Sequence, residues 1–111
     1  MPTVKPDHYA YRVRWSPEDA AYVGTVAELP SLSWVSEDQG DAFRGIRQLV
    51  ADVLDDMTAN GEEPPVAISD RSYSGKFLVR LTPEAHRRLA IDAAEQHVSL
   101  NRLAVSRLIG A

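Results

Sequence analysis

Apolar and polar residues alternate cleanly at the start of the chain. In the run Tyr9-Ala10-Tyr11-Arg12-Val13-Arg14-Trp15, Tyr9, Tyr11, Val13 and Trp15 fall on one face, and Ala10, Arg12 and Arg14 on the other. A period of two predicts a strand with one buried face. Ser16-Pro17-Glu18-Asp19 reads as a turn. A second strand is predicted from Ala21 to Glu28, with Tyr22, Gly24, Val26 and Glu28 sharing a face, and Leu29-Pro30 breaks it. Leu32 to Val35 predicts a third short strand. The period then changes. Phe43, Ile46, Leu49, Val50, Val53, Leu54 and Met57 make one apolar stripe at helical spacing. Ser36-Glu37-Asp38-Gln39 can open this helix as a capping box, with Asp38 as the alternative cap. Asn60-Gly61 closes it. Pro64 to Ile68 is read as extended, adding a short edge strand. Residues 1–7 are expected to be a loose terminus. The order strand, strand, strand, helix, strand over residues 1–68 makes a small α+β layer, a three-stranded antiparallel sheet under one long helix.

Residues 69–74 (SDRSYS) are polar and read as a linker. A second pattern begins at Gly75. Phe77, Val79 and Leu81 alternate with Lys76, Leu78 and Arg80, which predicts another strand. Thr82-Pro83 then predicts a helix start, with the hydroxyl as N-cap and proline in the first turn. That helix is expected to reach about Gln96. His97-Val98-Ser99 reads as a tight connection, and Ser99 caps a last helix carrying Leu100, Leu103, Ala104 and Leu108. One strand and two helices in 75–111 are too little to close a core, because pieces below about 40 residues usually need disulfides, a metal or a second copy. The chain has no cysteine. A metal-ligand cluster is also missing from this stretch, so self-association is the expected route. Two copies would pair their strands antiparallel, turn Phe77, Val79 and Leu81 inward, and present Lys76, Leu78 and Arg80 twice to solvent.

Charge is divided along the chain. The formal net charge is −4. Residues 1–74 hold 6 Lys/Arg against 13 Asp/Glu, and residues 75–111 hold 6 against 3. A cationic end suits nucleic acid and an acidic body suits a basic protein. An apolar share of 44% is that of a globular chain. A run of 18 apolar residues is absent, so no membrane partner is expected. The first residues lack a signal-peptide core, and a cytoplasmic location is the expectation.

Catalysis and cofactors are not expected. The predicted first strand carries no acid of the kind a two-metal nuclease needs, and Asp52, Asp55 and Asp56 sit on the polar side of the long helix. His8, His86 and His97 are scattered, without a metal-binding spacing. A GxSxG nucleophile motif does not occur.

The strand, Thr-Pro helix and Ser-capped helix of 75–111 resemble the ribbon-helix-helix family of DNA-binding dimers. A two-stranded ribbon fits the major groove of B-DNA. The resemblance implies that Lys76, Leu78 and Arg80 meet base edges and that backbone N–H groups at Ser99, Leu100 and Asn101 clamp a phosphate. Leu78 departs from the polar residue common there. It could touch a thymine methyl or discriminate weakly. Over most of the chain, AYVGTVAELPSLSWVSEDQGDAFRGI, LVADVLDDMTANGEEPP and YSGKFLVRLTPEAHRRLAIDAAEQHVSLNRLAVSRL resemble HicB antitoxins of type II toxin–antitoxin systems. That resemblance implies a truncated RNase H-like domain without nuclease activity, which blocks a HicA-type toxin acting on mRNA. It also implies a tail that binds operator double-stranded DNA, represses the operon, and forms a homodimer or higher homo-oligomer. The alternative is a protein-interaction module whose tail only dimerises.

Overall fold

The computed structural model describes residues 4–110. Of the expected loose terminus, residues 1–3 lie outside the described residues, and Pro6–His8 forms a 3-10 turn. The chain divides into two compact units, Met1–Tyr73 and Ser74–Ala111.

In the first unit, β1 (Tyr11–Ser16), β2 (Ala21–Val26) and β3 (Ser33–Ser36) form one antiparallel sheet in the order β1-β2-β3. The register sets Tyr11 opposite Val26, Val13 opposite Gly24 and Trp15 opposite Tyr22. On the other side of β2, Gly24 faces Trp34 and Tyr22 faces Ser36. Residues directly opposite share a sheet face, so these three rows form one face and Arg12, Arg14, Val23, Thr25 and Val35 form the other.

Helix α1 (Gln39–Ala59) covers the first of these faces. Its N-cap is Asp38, whose carboxylate accepts from the Asp41 N–H at 2.9 Å. The alternative cap therefore operates, and Ser36 instead accepts from the Asp38 N–H at 3.3 Å. Ile46, Val50 and Leu54 come from one stripe of α1 and form the core with Tyr9, Val26 and Ala67. The helix approaches so closely because β2 carries Gly24. A methyl there would sit 2.8 Å from the Ala42 carbonyl oxygen and 2.9 Å from Ile46.

The expected edge strand at Pro64 to Ile68 does not form. Those residues are extended only in part, and Ile68–Asp70 makes a 3-10 turn instead. Pro64 and Pro65 have no N–H to give to a ladder. Side chains do the joining: the Tyr9 hydroxyl donates to the Pro65 carbonyl at 2.5 Å.

In the second unit, α2 (Pro83–Glu95) and α3 (Leu100–Ile109) have the predicted caps. Thr82 Oγ1 accepts from Ala85 N–H at 3.1 Å and Ser99 Oγ from Arg102 N–H at 3.0 Å. The predicted strand at 76–81 has no strand hydrogen bonding within the chain. The second unit offers it no partner strand, and strand pairing needs one. Between the helices, His97 takes the left-handed conformation at φ 56°, while Val98 N–H reaches Ala93 O and His97 N–H reaches Ala94 O, both at 3.1 Å. This is a Schellman closure. α1 ends the same way, with Gly61 in the left-handed position and Glu62 N–H bonded to Met57 O at 2.8 Å.

Two substitutions test this packing. Gly24→Ala is expected to destabilise the first unit by about 1–3 kcal/mol, the usual range for forcing atoms into a packed core. His97→Gly removes a Cβ from a left-handed position and is expected to add about 0.5–1 kcal/mol to the second unit, less the extra freedom of the unfolded chain. Urea titrations of both variants against the parent chain measure each value. An unchanged midpoint for Gly24→Ala would show that α1 and β2 are not in such close contact.

Candidate functional site

Glu28 is the one buried acidic or basic residue among those described, at 8% exposure. It continues the inward row Tyr22, Gly24, Val26 just past the end of β2. Its two carboxylate oxygens divide the work. Oε1 accepts from the Ala10 N–H and Oε2 from the Ile68 N–H, each at 2.9 Å. Burial alone would raise the Glu28 pKa. The backbone N–H groups of Ile68, Ala10 and Glu28 itself, with Arg71 nearby, outweigh that and hold it below the usual carboxylate range. Burial pushes the Tyr9 hydroxyl up, and the Glu28 charge adds to the rise. Tyr11 is likewise pushed up by burial, against the pull of Arg47, whose guanidinium lies 5.2 Å from the centre of its ring.

Around this clamp the residues after α1 are tied to the start of the chain. His8 Nδ1 lies 2.7 Å from Asp70, Ser69 donates to the His8 carbonyl at 3.3 Å, and Arg71 donates to the Val66 carbonyl at 3.0 Å. The stretch 69–73, read from sequence as linker, thus carries bonds to the first unit. The sequence placed Glu28 on one face with Tyr22, Gly24 and Val26, without marking that face as the buried one, and did not reveal the clamp. An acid extending the buried row of an amphipathic strand was the available signal. Asp55 and Asp56 lie exposed on α1, and Asp52 accepts from Gln48 at 2.9 Å.

The DNA-binding candidates all fall in the second unit, on two elements. Lys76, Leu78 and Arg80 lie along the stretch before Thr82, which is neither helix nor strand, and all are exposed. Phe77, Val79 and Leu81 alternate with them and are 77%, 52% and 49% exposed, although apolar. Ser99, Leu100 and Asn101 stand at the start of α3. Because the Ser99 hydroxyl caps the Arg102 N–H, the N–H groups of Leu100 and Asn101 keep the free, outward-pointing character of a helix N-terminus. Within the same unit, an open groove between α2 and α3 is lined by Val79, Leu81, Leu89, Leu100, Ala104 and Leu108, with His86 and the Asp92–Arg107 ion pair (2.9 Å) also along its walls. Arg87 is held by Glu84 at 3.3 Å, while Lys76, Arg80, Arg88 and Arg102 make no ion pair among the described residues. The net positive charge of this unit is therefore largely free to meet an outside anion.

The geometry defines a mixed α+β chain of two units: a three-stranded antiparallel sheet under one helix, and a pair of capped helices preceded by an exposed alternating stretch. Residues 54–108 match the family described as the HicB family, so the last part of the chain is similar to that family. No curated protein and no solved structure matches the chain. Among the described residues, no helix is long and apolar enough to cross a membrane.

The clamp predicts a pH dependence. A carboxyl whose folded pKa is depressed contributes stability at pH above its unfolded value, and that contribution is lost as pH falls through the folded value. Glu28→Gln is expected to destabilise the first unit at neutral pH by about 1–3 kcal/mol, since one N–H would then face an amide NH2. It should also flatten the acid side of the stability curve. Urea midpoints of both proteins from neutral pH down into the acid range measure this. Parallel curves would remove Glu28 as the source of the acid sensitivity.

Proposed function

We propose that this chain is a non-catalytic antitoxin. Its first unit binds and neutralises a HicA-type toxin acting on mRNA, and its second unit dimerises as a ribbon-helix-helix and binds operator DNA to repress the operon. The observation that carries the reading is the stretch 76–81. It has no helix or strand bonding within the single chain, it sets Phe77, Val79 and Leu81 in alternation with Lys76, Leu78 and Arg80, and its apolar residues are exposed. Full burial of a side chain such as Phe77, Val79 or Leu81 is worth about 1.5–3 kcal/mol. Two copies pairing these stretches antiparallel would gain that burial, satisfy strand hydrogen bonds on one edge of each, and fill the groove beside α2 and α3. The outward face would then carry Lys76, Leu78 and Arg80 from both copies. A ribbon of that width enters the major groove, and the N-termini of the two α3 helices supply N–H groups for backbone phosphates.

The match over 54–108 supports this reading, because it spans the end of α1 and nearly all of the second unit. The acidic first unit complements a basic toxin. Neutralisation would follow from occupying the toxin's RNA-binding surface.

In gel-shift assays at fixed salt with the chain's own upstream DNA, Arg80→Ala is expected to weaken binding by about 1–3 kcal/mol, the range for a lost bidentate base contact. Rescue of growth from a co-expressed HicA-type toxin should be unchanged by it. Sedimentation equilibrium should show a dimer at micromolar concentration. A dimer that shifts no DNA at low salt would favour the interaction-module reading, and a monomer with 76–81 ordered would overturn the ribbon altogether.

A further inference from the structure

The first unit exposes two tryptophans at one end of its sheet, beside the half-buried Tyr22. Trp15 and Tyr22 are cross-strand partners, their rings 5.2 Å apart in an edge-to-face arrangement. Trp34 lies one row in, opposite Gly24, on the same face. That is the helix-bearing face, yet α1 does not cover this end. Its core residues Ile46, Val50 and Leu54 pack with Val26, Tyr9 and Ala67, at and beyond the other end of the strands. Trp15 therefore stays 51% exposed and Trp34 44%. Trp34 is nonetheless seated: its ring lies where any Cβ on Gly45 would be, 2.0 Å away. A residue without a side chain at position 45 lets the indole pack against α1 while the ring stays partly in water.

The rim of this patch is acidic. The β1–β2 turn brings Glu18 and Asp19 to the same end of the sheet, and the β3–α1 junction brings Glu37 and Asp38, with Asp41 in the first turn of α1. Arg44, in the next turn of α1, is occupied by Asp41 and Asp38. Arg14 neighbours Trp15 in sequence, but its register partner is Val23, which puts it on the opposite sheet face. Large aromatic side chains seated by their own fold and ringed by charge are the usual anatomy of an interface centre and its rim. An exposed group of this kind needs an occupant, and the charge selects one that is basic.

We infer that Trp15, Tyr22 and Trp34 form the centre of the surface that holds the toxin, an inference that rests on the antitoxin reading above. The occupant is a small basic protein that places an apolar side chain between the two indoles and Lys or Arg against Glu18 and Glu37. The indoles supply affinity by burial, and the acids supply association rate and its salt dependence.

The test uses the full chain and a purified HicA-type toxin, titrated by calorimetry. Trp15→Ala is expected to weaken binding at least tenfold. The double variant Glu18→Lys, Glu37→Lys alters only exposed side chains, so its fold is safe. It is expected to weaken binding several-fold at low salt and to lose most of the salt dependence. Arg80→Ala should bind the toxin as the parent does. Trp15 and Trp34 are the chain's two tryptophans. Their emission should therefore shift to the blue when the toxin binds, once the toxin's own signal is subtracted. Parental affinity in both Trp15→Ala and the charge-reversed variant would overturn the assignment while leaving the antitoxin reading intact. A parent chain that does not bind the toxin at all would overturn both. A change in self-association of either variant without toxin would mean that the patch serves a second copy of the chain, which also overturns it.

Discussion

A carboxylate inside a protein is stable only where hydrogen bonds replace the water it has lost. Glu28 satisfies this condition with backbone N–H groups from two distant parts of the chain, Ala10 and Ile68. The consequence is architectural. The sheet has three strands, and the residues following α1 contribute no fourth. Pro64 and Pro65 cannot donate, so a ladder there would begin with a missing bond. Glu28 stands in for the ladder. Its two oxygens act as acceptors where a strand would have offered carbonyls, and they fix the returning chain beside the start of β1. Tyr9 adds its hydroxyl bond to Pro65 and its ring to the core. Buried Ala67 then closes over Ile46, Val50 and Leu54. A single carboxylate thus couples the two ends of the first unit.

The second unit has no such device. Its two helices are capped by Thr82 and Ser99 and closed at His97 by backbone bonds alone, and these local bonds fix each helix without covering it. Ala93 and Leu103 are the apolar side chains buried there, whereas Phe77, Leu78, Val79 and Leu81 are mostly exposed. Capping and burial are separate requirements. The first can be met within 37 residues, and the second cannot, because so short a piece lacks the area. The first unit meets both, having 21 residues of helix to lay over a sheet. This contrast leaves the cationic third of the chain with its apolar stretch uncovered, which is the ground for the second copy proposed above.

Elements carried by repeating patterns were legible in the sequence. The alternation in β1 and β2, the stripe of α1, and the Thr-Pro and Ser starts of α2 and α3 all gave their structures, because period and capping chemistry act over a few residues. Asp38 was legible only as one of two choices, since Ser36 and Asp38 each stand three residues before a suitable N–H or side chain. Pro64 to Ile68 looked extended and is not a strand, because being a strand depends on a neighbour that sequence does not display. The stretch 76–81 shows the same limit from the other side. Its alternation is plain, and its ladder has no partner within one copy. Of the candidate site, residue identities were readable while distances and exposure were not. The Glu28 clamp joins positions 18 and 40 residues apart, and the position of the Trp34 ring depends on Gly45, which the pattern of α1 marks only as a gap in the stripe.

Division of charge gives the two units different electrostatic jobs. Net −7 on residues 1–74 repels nucleic acid, whereas net +3 on 75–111 attracts it. A single unit carrying both sets of charges would present each ligand with a field that cancels within a Debye length of about 10 Å. Keeping them on separate compact units lets each field act at its own surface. For an antitoxin that also represses, that separation has a physical consequence: a basic toxin on the first unit offsets part of the negative charge carried by the chain. On the proposed reading, repulsion between the acidic units and the DNA phosphates would fall as toxin binds. Toxin occupancy and operator affinity would then be coupled through charge, and the coupling would weaken as salt rises.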